Sequence, residues 1–160
     1  MMNQPFTHLD DQGRAQMVDI ANKSETRRIA RASGRIRMQP KTLSAFLDVT
    51  RKKGDAMSVA RIAALMAAKR TSELIPLCHP LSLTHTQVDF THNAEEAWLE
   101  CIVTTETVGR TGVEMEALTA VSVALLALYD MGKGLDRGMT IGDIRLLEKS
   151  GGCSSDWRGA

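Results

Sequence analysis

Four ionisable residues, Glu114, Glu116, Asp130 and Lys133, lie on or beside the most apolar stretch of the chain, residues 113–131. A charge left unpaired in such surroundings is costly, so each needs a partner or a task. Helical geometry limits how they cooperate. Glu114 and Glu116 are two positions apart, about 200° around a helix axis, so both face one pocket only if Glu114 still belongs to the turn before the helix. Asp130 follows Glu116 by fourteen positions, which returns it to nearly the same face but about 21 Å further along. Direct contact within one helix is therefore excluded. Either a long substrate spans the distance, or a two-fold dimer lays this helix antiparallel to its mate, so that Glu116 of one chain approaches Asp130 of the other. The dimer is the better reading, because the helix is more apolar than one packing face requires. Asp130 and Lys133, at i and i+3, share a face. They form either a helix-end ion pair or an acid/base couple able to move protons on both sides of a reacting group.

The segment Ile75-Pro76-Leu77-Cys78-His79-Pro80 is stiffened by two prolines and reads as a rigid loop. His79 is either a packed, hydrogen-bonded ring or a fixed donor to a base or phosphate. Cys78 reads as a small buried filler, and no neighbouring side chains complete a metal site. The cations Arg28, Lys53, Lys69, Arg110 and Lys149 fall in expected turns or element ends. Each alone is an ordinary surface charge, and together they are candidates for a local anion site. The glycine-bearing turns at 108–112 and 150–152 lack the spacing of a mononucleotide loop, although the first opens a helix, where free N–H groups favour an anion.

The elements that position these residues follow from periodicity and turn chemistry. Residues 1–33 are mixed and charged and read as an arm. Residues 34–38 alternate as a short strand that Pro40 ends, and Leu43, Phe46 and Leu47 recur at helical spacing. Asp55 caps a second helix, 56–68, which Pro76 stops from continuing. Residues 81–90 and 98–105 read as an antiparallel hairpin, 113–131 as a buried helix ended by Gly132 and Gly134, and Ile141, Ile144 and Leu146 as a last strand. The tail 149–155 is too small and polar to hold itself in place. With the early helices counted as one connection, the order is the ferredoxin-like βαββαβ pattern: an α+β fold with an antiparallel sheet and helices on one face.

A chain of 160 residues, 43% hydrophobic, suits one domain over 1–160 with a flexible N-terminal arm and C-terminal tail. The formal net charge of +1 excludes a general trap for nucleic acid or anionic membrane. Cys78, Cys101 and Cys153 are scattered, which fits a reducing cytoplasm. The polar first residues do not read as a signal peptide, and neither export nor membrane spanning is expected.

Longer strings carry a specific likeness. Lys53-Gly54-Asp55, Ala67-Ala68-Lys69-Arg70-Thr71, Leu74-Ile75-Pro76-Leu77-Cys78-His79-Pro80-Leu81, Thr111-Gly112-Val113-Glu114-Met115-Glu116-Ala117-Leu118-Thr119-Ala120, Tyr129-Asp130-Met131 and Lys149-Ser150-Gly151-Gly152 resemble the cyclic pyranopterin monophosphate synthase family of molybdenum-cofactor biosynthesis, in order and spacing, from about Met17 to Gly152. The resemblance implies a ferredoxin-like subunit in a homohexamer, a trimer of dimers with active sites at the dimer interface. It implies a lyase-type reaction, in which a cyclised dihydroguanosine triphosphate is rearranged to cyclic pyranopterin monophosphate with loss of pyrophosphate. By position, Asp130 is then the catalytic acid/base and Lys133 its companion. Leu77, Cys78, His79, Glu114, Met115 and Glu116 hold the substrate, and Lys53, Arg28 and Lys149 take the triphosphate. No redox change occurs, so no redox cofactor is expected, although Mg2+ could accompany the triphosphate. Arg110 and Cys153 stand where that family commonly has lysine, and Gly132 and Gly134 where it has bulkier residues. Two other classes compete: an RNA-binding module of the same topology, disfavoured by 4% aromatic content, and a regulator that kept the pocket without catalysis, disfavoured by the intact Asp130 and Lys133.

Overall fold

The computed structural model describes residues 7–48, 55–152 and 155–159. The elements are β1 (Thr26–Arg37), α1 (Pro40–Leu47), α2 (Ala56–Lys69), α3 (Thr71–Leu74), β2 (Leu83–Asn93), β3 (Trp98–Gly109), α4 (Glu114–Gly132), β4 (Thr140–Ser150) and β5 (Trp157–Arg158). The sheet order is β2-β3-β1-β4-β5, and every neighbouring pair is antiparallel. The expected βαββαβ topology is present, with β5 as a short addition on the β4 edge.

β1 is the central strand and begins at Thr26, eight residues before the expected start at Gly34, so two-thirds of it lies in what reads as an arm. The reason is the size of its inward residues. Ala30, Ala32 and Ile36 are fully buried, and Gly34 lies where an added Cβ would come within 3 Å of Val121, Leu125 and Ile144. Small residues let α4 approach the sheet closely, but they give a weak alternation signal. The outward positions carry arginines: Arg27 pairs with Glu106 at 2.7 Å, Arg35 with Glu100 at 3.1 Å and Arg37 with Asp143 at 3.0 Å. Arg35 also covers the ring of Trp98, 4.4 Å from its centroid, so that aromatic faces a guanidinium rather than open solvent.

Asp55 caps α2 as expected, its carboxylate accepting the Met57 N–H at 2.9 Å. α4 packs against α2 on one side and against β1, β3 and β4 on the other. Its length and composition are those of a membrane span, yet Ala117, Ala120, Val121, Ala124, Leu125 and Leu128 are fully buried against the sheet and α2, as in a core helix. Beyond α4, Asp136 is buried and accepts the Gln39 N–H at 2.8 Å and the Gly138 N–H at 3.0 Å, tying the helix exit to the start of α1. β4 runs through Ser150, so Lys149 and Ser150 belong to a paired strand rather than to a loose tail. Trp157 and Arg158 return to pair with Lys149 and Glu148.

Candidate active site

The loop between α3 and β2 is held at both ends. The Cys78 N–H donates to the Ile75 carbonyl at 3.1 Å, and the Thr107 hydroxyl donates to the Ser82 carbonyl at 2.6 Å. This sets Leu77, Cys78 and His79 against the start of α4, where Glu114, Met115 and Glu116 complete the wall of a cavity of about 300 Å³. All six were expected to hold the substrate. Glu114 is the first residue of α4 rather than part of the preceding turn, a shift of about one position that leaves both carboxylates on the cavity.

Glu116 is only 4% exposed. Burial pushes its carboxyl up to about 7; a backbone hydrogen bond opposes part of the rise, and the neighbouring Glu114 charge adds a smaller upward push. A carboxyl poised there can give or take a proton near neutral pH. Burial also raises the Cys78 thiol, with a further push from Glu116, so Cys78 is no ready nucleophile.

A second cavity of about 220 Å³ adjoins the first, with Lys23, Thr111, Gly112 and Glu114 in both walls. The rest of its lining includes Arg28, Arg110, Lys149 and Gly151, a cationic set suited to an anion. Arg28 is buried beneath the floor, its guanidinium donating to the carbonyls of Gly109 at 3.4 Å and Gly151 at 3.3 Å. Gly151 and Gly152 adopt φ of +92° and +90°, and a Cβ on Gly152 would run into that guanidinium. Lys149 meets Glu114 at 3.1 Å, so the carboxylate between the cavities is partly neutralised from the cationic side. Together the cavities form a trough with a carboxyl- and imidazole-lined end and a cationic end.

Asp130 and Lys133 lie at the opposite end of α4. Their ion pair closes to 2.6 Å, and the side chains are 71% and 58% exposed. Hydrogen bonding to Asp130, followed by its charge, holds the Lys133 ammonium above its ordinary value. Within one chain this pair lines neither cavity. Lys53 lies outside the described residues. Among the described residues no cluster of three or more His, Cys, Asp or Glu side chains is placed to hold a metal ion.

Sequence reading missed the contribution of the N-terminal segment: His8, Val18, Ile20 and Lys23 close the larger cavity. Lys23 reads in sequence as one charge in a mixed, charged arm, and it shares both walls with Thr111, Gly112 and Glu114, residues some ninety positions away and invisible to local pattern.

Fold and trough define an α+β protein with two adjoining cavities, one of them cationic. Comparison narrows the class. The sequence pattern of the MoaC family matches residues 17–152, and the chain belongs to that family. A cyclic pyranopterin monophosphate synthase of Thermomicrobium roseum is 57% identical over 153 residues, spanning 96% of this chain and 92% of that protein. Another, of Parvibaculum lavamentivorans, is 54% identical over 158 residues and 99% of each chain. A de novo designed protein with a ferredoxin fold overlays with a TM-score of 0.38 at 10% identity, covering 81% of this chain and 90% of its own. The fold assignment rests on strand order, not on that overlay.

Proposed function

We propose that this chain is a cyclic pyranopterin monophosphate synthase, a lyase of molybdenum-cofactor biosynthesis. The carrying observation is the identity of 57% and 54% to two proteins of that name, extending over 96% and 99% of this chain. The substrate of this reading is the cyclised dihydroguanosine triphosphate. Its phosphates lie toward Arg28, Arg110 and Lys149, and its purine-derived rings toward His79 and Glu116. Ring opening and rebuilding as a pterin require proton transfers at several heteroatoms, for which a carboxyl near 7 is suited. Release of pyrophosphate develops negative charge that the cationic end stabilises. The rearrangement is redox-neutral and calls for no resident redox cofactor, with Mg2+ entering, if at all, on the triphosphate.

The single-chain geometry supports a shared site. Asp130 sits about 21 Å along α4 from Glu116 and Lys133 about 25 Å, so in this reading they act on substrate held by another subunit, in a homohexamer of three dimers in the cytoplasm. The exposed apolar side chains of Met115, Leu126 and Met131 on α4 are consistent with a partner covering that helix. Supplying the cyclised dihydro-GTP to the purified protein and following pyrophosphate and cyclic phosphate product tests the assignment. Stoichiometric release of both is expected. Binding without either product would overturn catalysis and leave a pterin-precursor-binding protein.

A further inference from the structure

Residues 18–23 form a turn that closes on itself: the Asp19 carboxylate accepts the Ala21 N–H at 2.8 Å, and the Ile20 carbonyl accepts the Lys23 N–H at 3.1 Å. That turn presents Ile20 to the larger cavity and Lys23 to both. Its residues are mostly exposed, so burial of its own apolar surface gives it little hold on the body. Arg110, immediately after β3, reaches across to it. The guanidinium donates to the Ala21 carbonyl at 3.0 Å, and its Nε lies 3.7 Å from the Glu25 carboxylate.

We infer that Arg110 is a positioning residue, a latch that with Glu25 docks the 18–23 turn and so sets Lys23 at the junction of the two cavities. The latch requires a guanidinium in particular. A planar fork serves a backbone carbonyl and a carboxylate at once, whereas a lysine ammonium carries the same charge as a point that satisfies one of them poorly. Lys23, so placed, puts a positive charge where the ring-binding end meets the phosphate-binding end, beside the acidic Glu114. The identity of the ligand there rests on the functional reading above. The latch itself does not.

Arg110 also lines the cationic cavity, so its substitution mixes loss of charge with loss of the latch. Glu25 separates them, because it lines neither cavity. Removing a negative charge close to a cationic site strengthens anion binding if only electrostatics matter. If the latch matters, Glu25→Gln weakens it. The two accounts differ in sign.

The experiment uses the full chain and reads pyrophosphate binding by calorimetry, KM and kcat with the cyclised dihydro-GTP, and trypsin cleavage after Lys23. For Glu25→Gln we expect pyrophosphate affinity to fall about two- to fivefold, as an exposed ion pair allows, with KM rising in step and kcat unchanged. Arg110→Lys, which keeps the cavity charge, is expected to lose about tenfold. Both variants should be cut after Lys23 several times faster than the parent chain. Adding Glu25→Gln to Lys23→Met should weaken binding no further, since the latch acts through Lys23. Unchanged or tighter pyrophosphate binding by Glu25→Gln overturns the latch, as does full additivity with Lys23→Met. If the parent chain neither binds pyrophosphate nor turns over the substrate, the functional reading fails, and the cleavage rates alone decide: equal rates in Glu25→Gln, Arg110→Lys and the parent chain refute the latch.

Discussion

The two ends of α4 carry the same kinds of group and treat them in opposite ways. At the first turn Glu116 is withdrawn from water beneath the 75–80 loop and the N-terminal segment, and its carboxyl is raised to about 7. At the last turn Asp130 lies against Lys133 in open solvent. Burial tunes the first group within its own chain. The second is tuned only by its partner, and bulk water screens much of that interaction. One end is therefore enclosed within its own chain, while the other stands open to solvent. The shared site proposed above, with the complementary half on a second subunit, accounts for both conditions at once.

The largest effect that can break this comparison is a complementation. Asp130→Asn or Lys133→Ala should each reduce turnover about a hundredfold or more without a measurable shift of the melting curve, because both side chains are exposed in the fold. Glu116→Gln should also be nearly inactive. If sites are shared across a dimer, co-refolding equal amounts of Asp130→Asn and Glu116→Gln chains restores about a quarter of parental activity, since half the dimers are mixed and each of those holds one intact site. No recovery in verified mixed dimers would place the whole site within one chain.

Glu116→Gln has a second consequence, at the buried end only. A carboxyl whose folded-state pKa lies above its ordinary value of 4.5 binds more protons folded than unfolded between 4.5 and about 7. Its contribution to stability therefore declines as pH rises through that window, and the full penalty applies above it. At pH 8 the Gln variant should be more stable than the parent by about 3 kcal/mol, and below pH 4 the difference should vanish. Urea titrations at the two pH values measure it. A variant less stable at pH 8 would mean that Glu116 is held by a buried cation.

The same contrast explains what could be read in advance. Helix α4, the Asp55 cap, the hairpin and the strand order all follow from periodicity, turn residues and caps, which are local. β1 was shortened because its inward residues at 30, 32 and 34 are alanine and glycine, chosen for the close approach of α4 rather than for hydrophobicity. In the site, the contiguous strings 77–79 and 114–116 wall one cavity. Lys23 has no local signal, because the cavity walls that it shares with Thr111, Gly112 and Glu114 are brought together only by the fold. Nor could spacing decide that Asp130 and Lys133 stay exposed, since an i, i+3 pair looks the same in sequence whether a partner covers it or not.

At the cationic end, Gly152→Ala should displace the Arg28 guanidinium and lower pyrophosphate affinity about tenfold. Gly142→Ala, where an added Cβ meets nothing within 4 Å, is the control and should leave affinity unchanged. Equal affinities in the two variants, measured by calorimetry, would remove Arg28 from the anion site.

The smallest expected effect reports on the buried end without any substrate. The Cys78 thiol is raised by burial and then by the Glu116 charge, so ionising Glu116 should make Cys78 a poorer nucleophile. In a Cys153→Ser background, with Cys101 buried and raised to about 12, iodoacetamide reads Cys78. Between pH 6 and 8 its alkylation should rise less steeply than that of a free thiol, because the neighbouring carboxyl gains charge over the same interval. Glu116→Gln should restore the ordinary slope, with a gain in rate at pH 8 of about two- to threefold. An unchanged slope would show that Glu116 does not change charge between pH 6 and 8, and would remove the proton-transfer role assigned to that end of the helix.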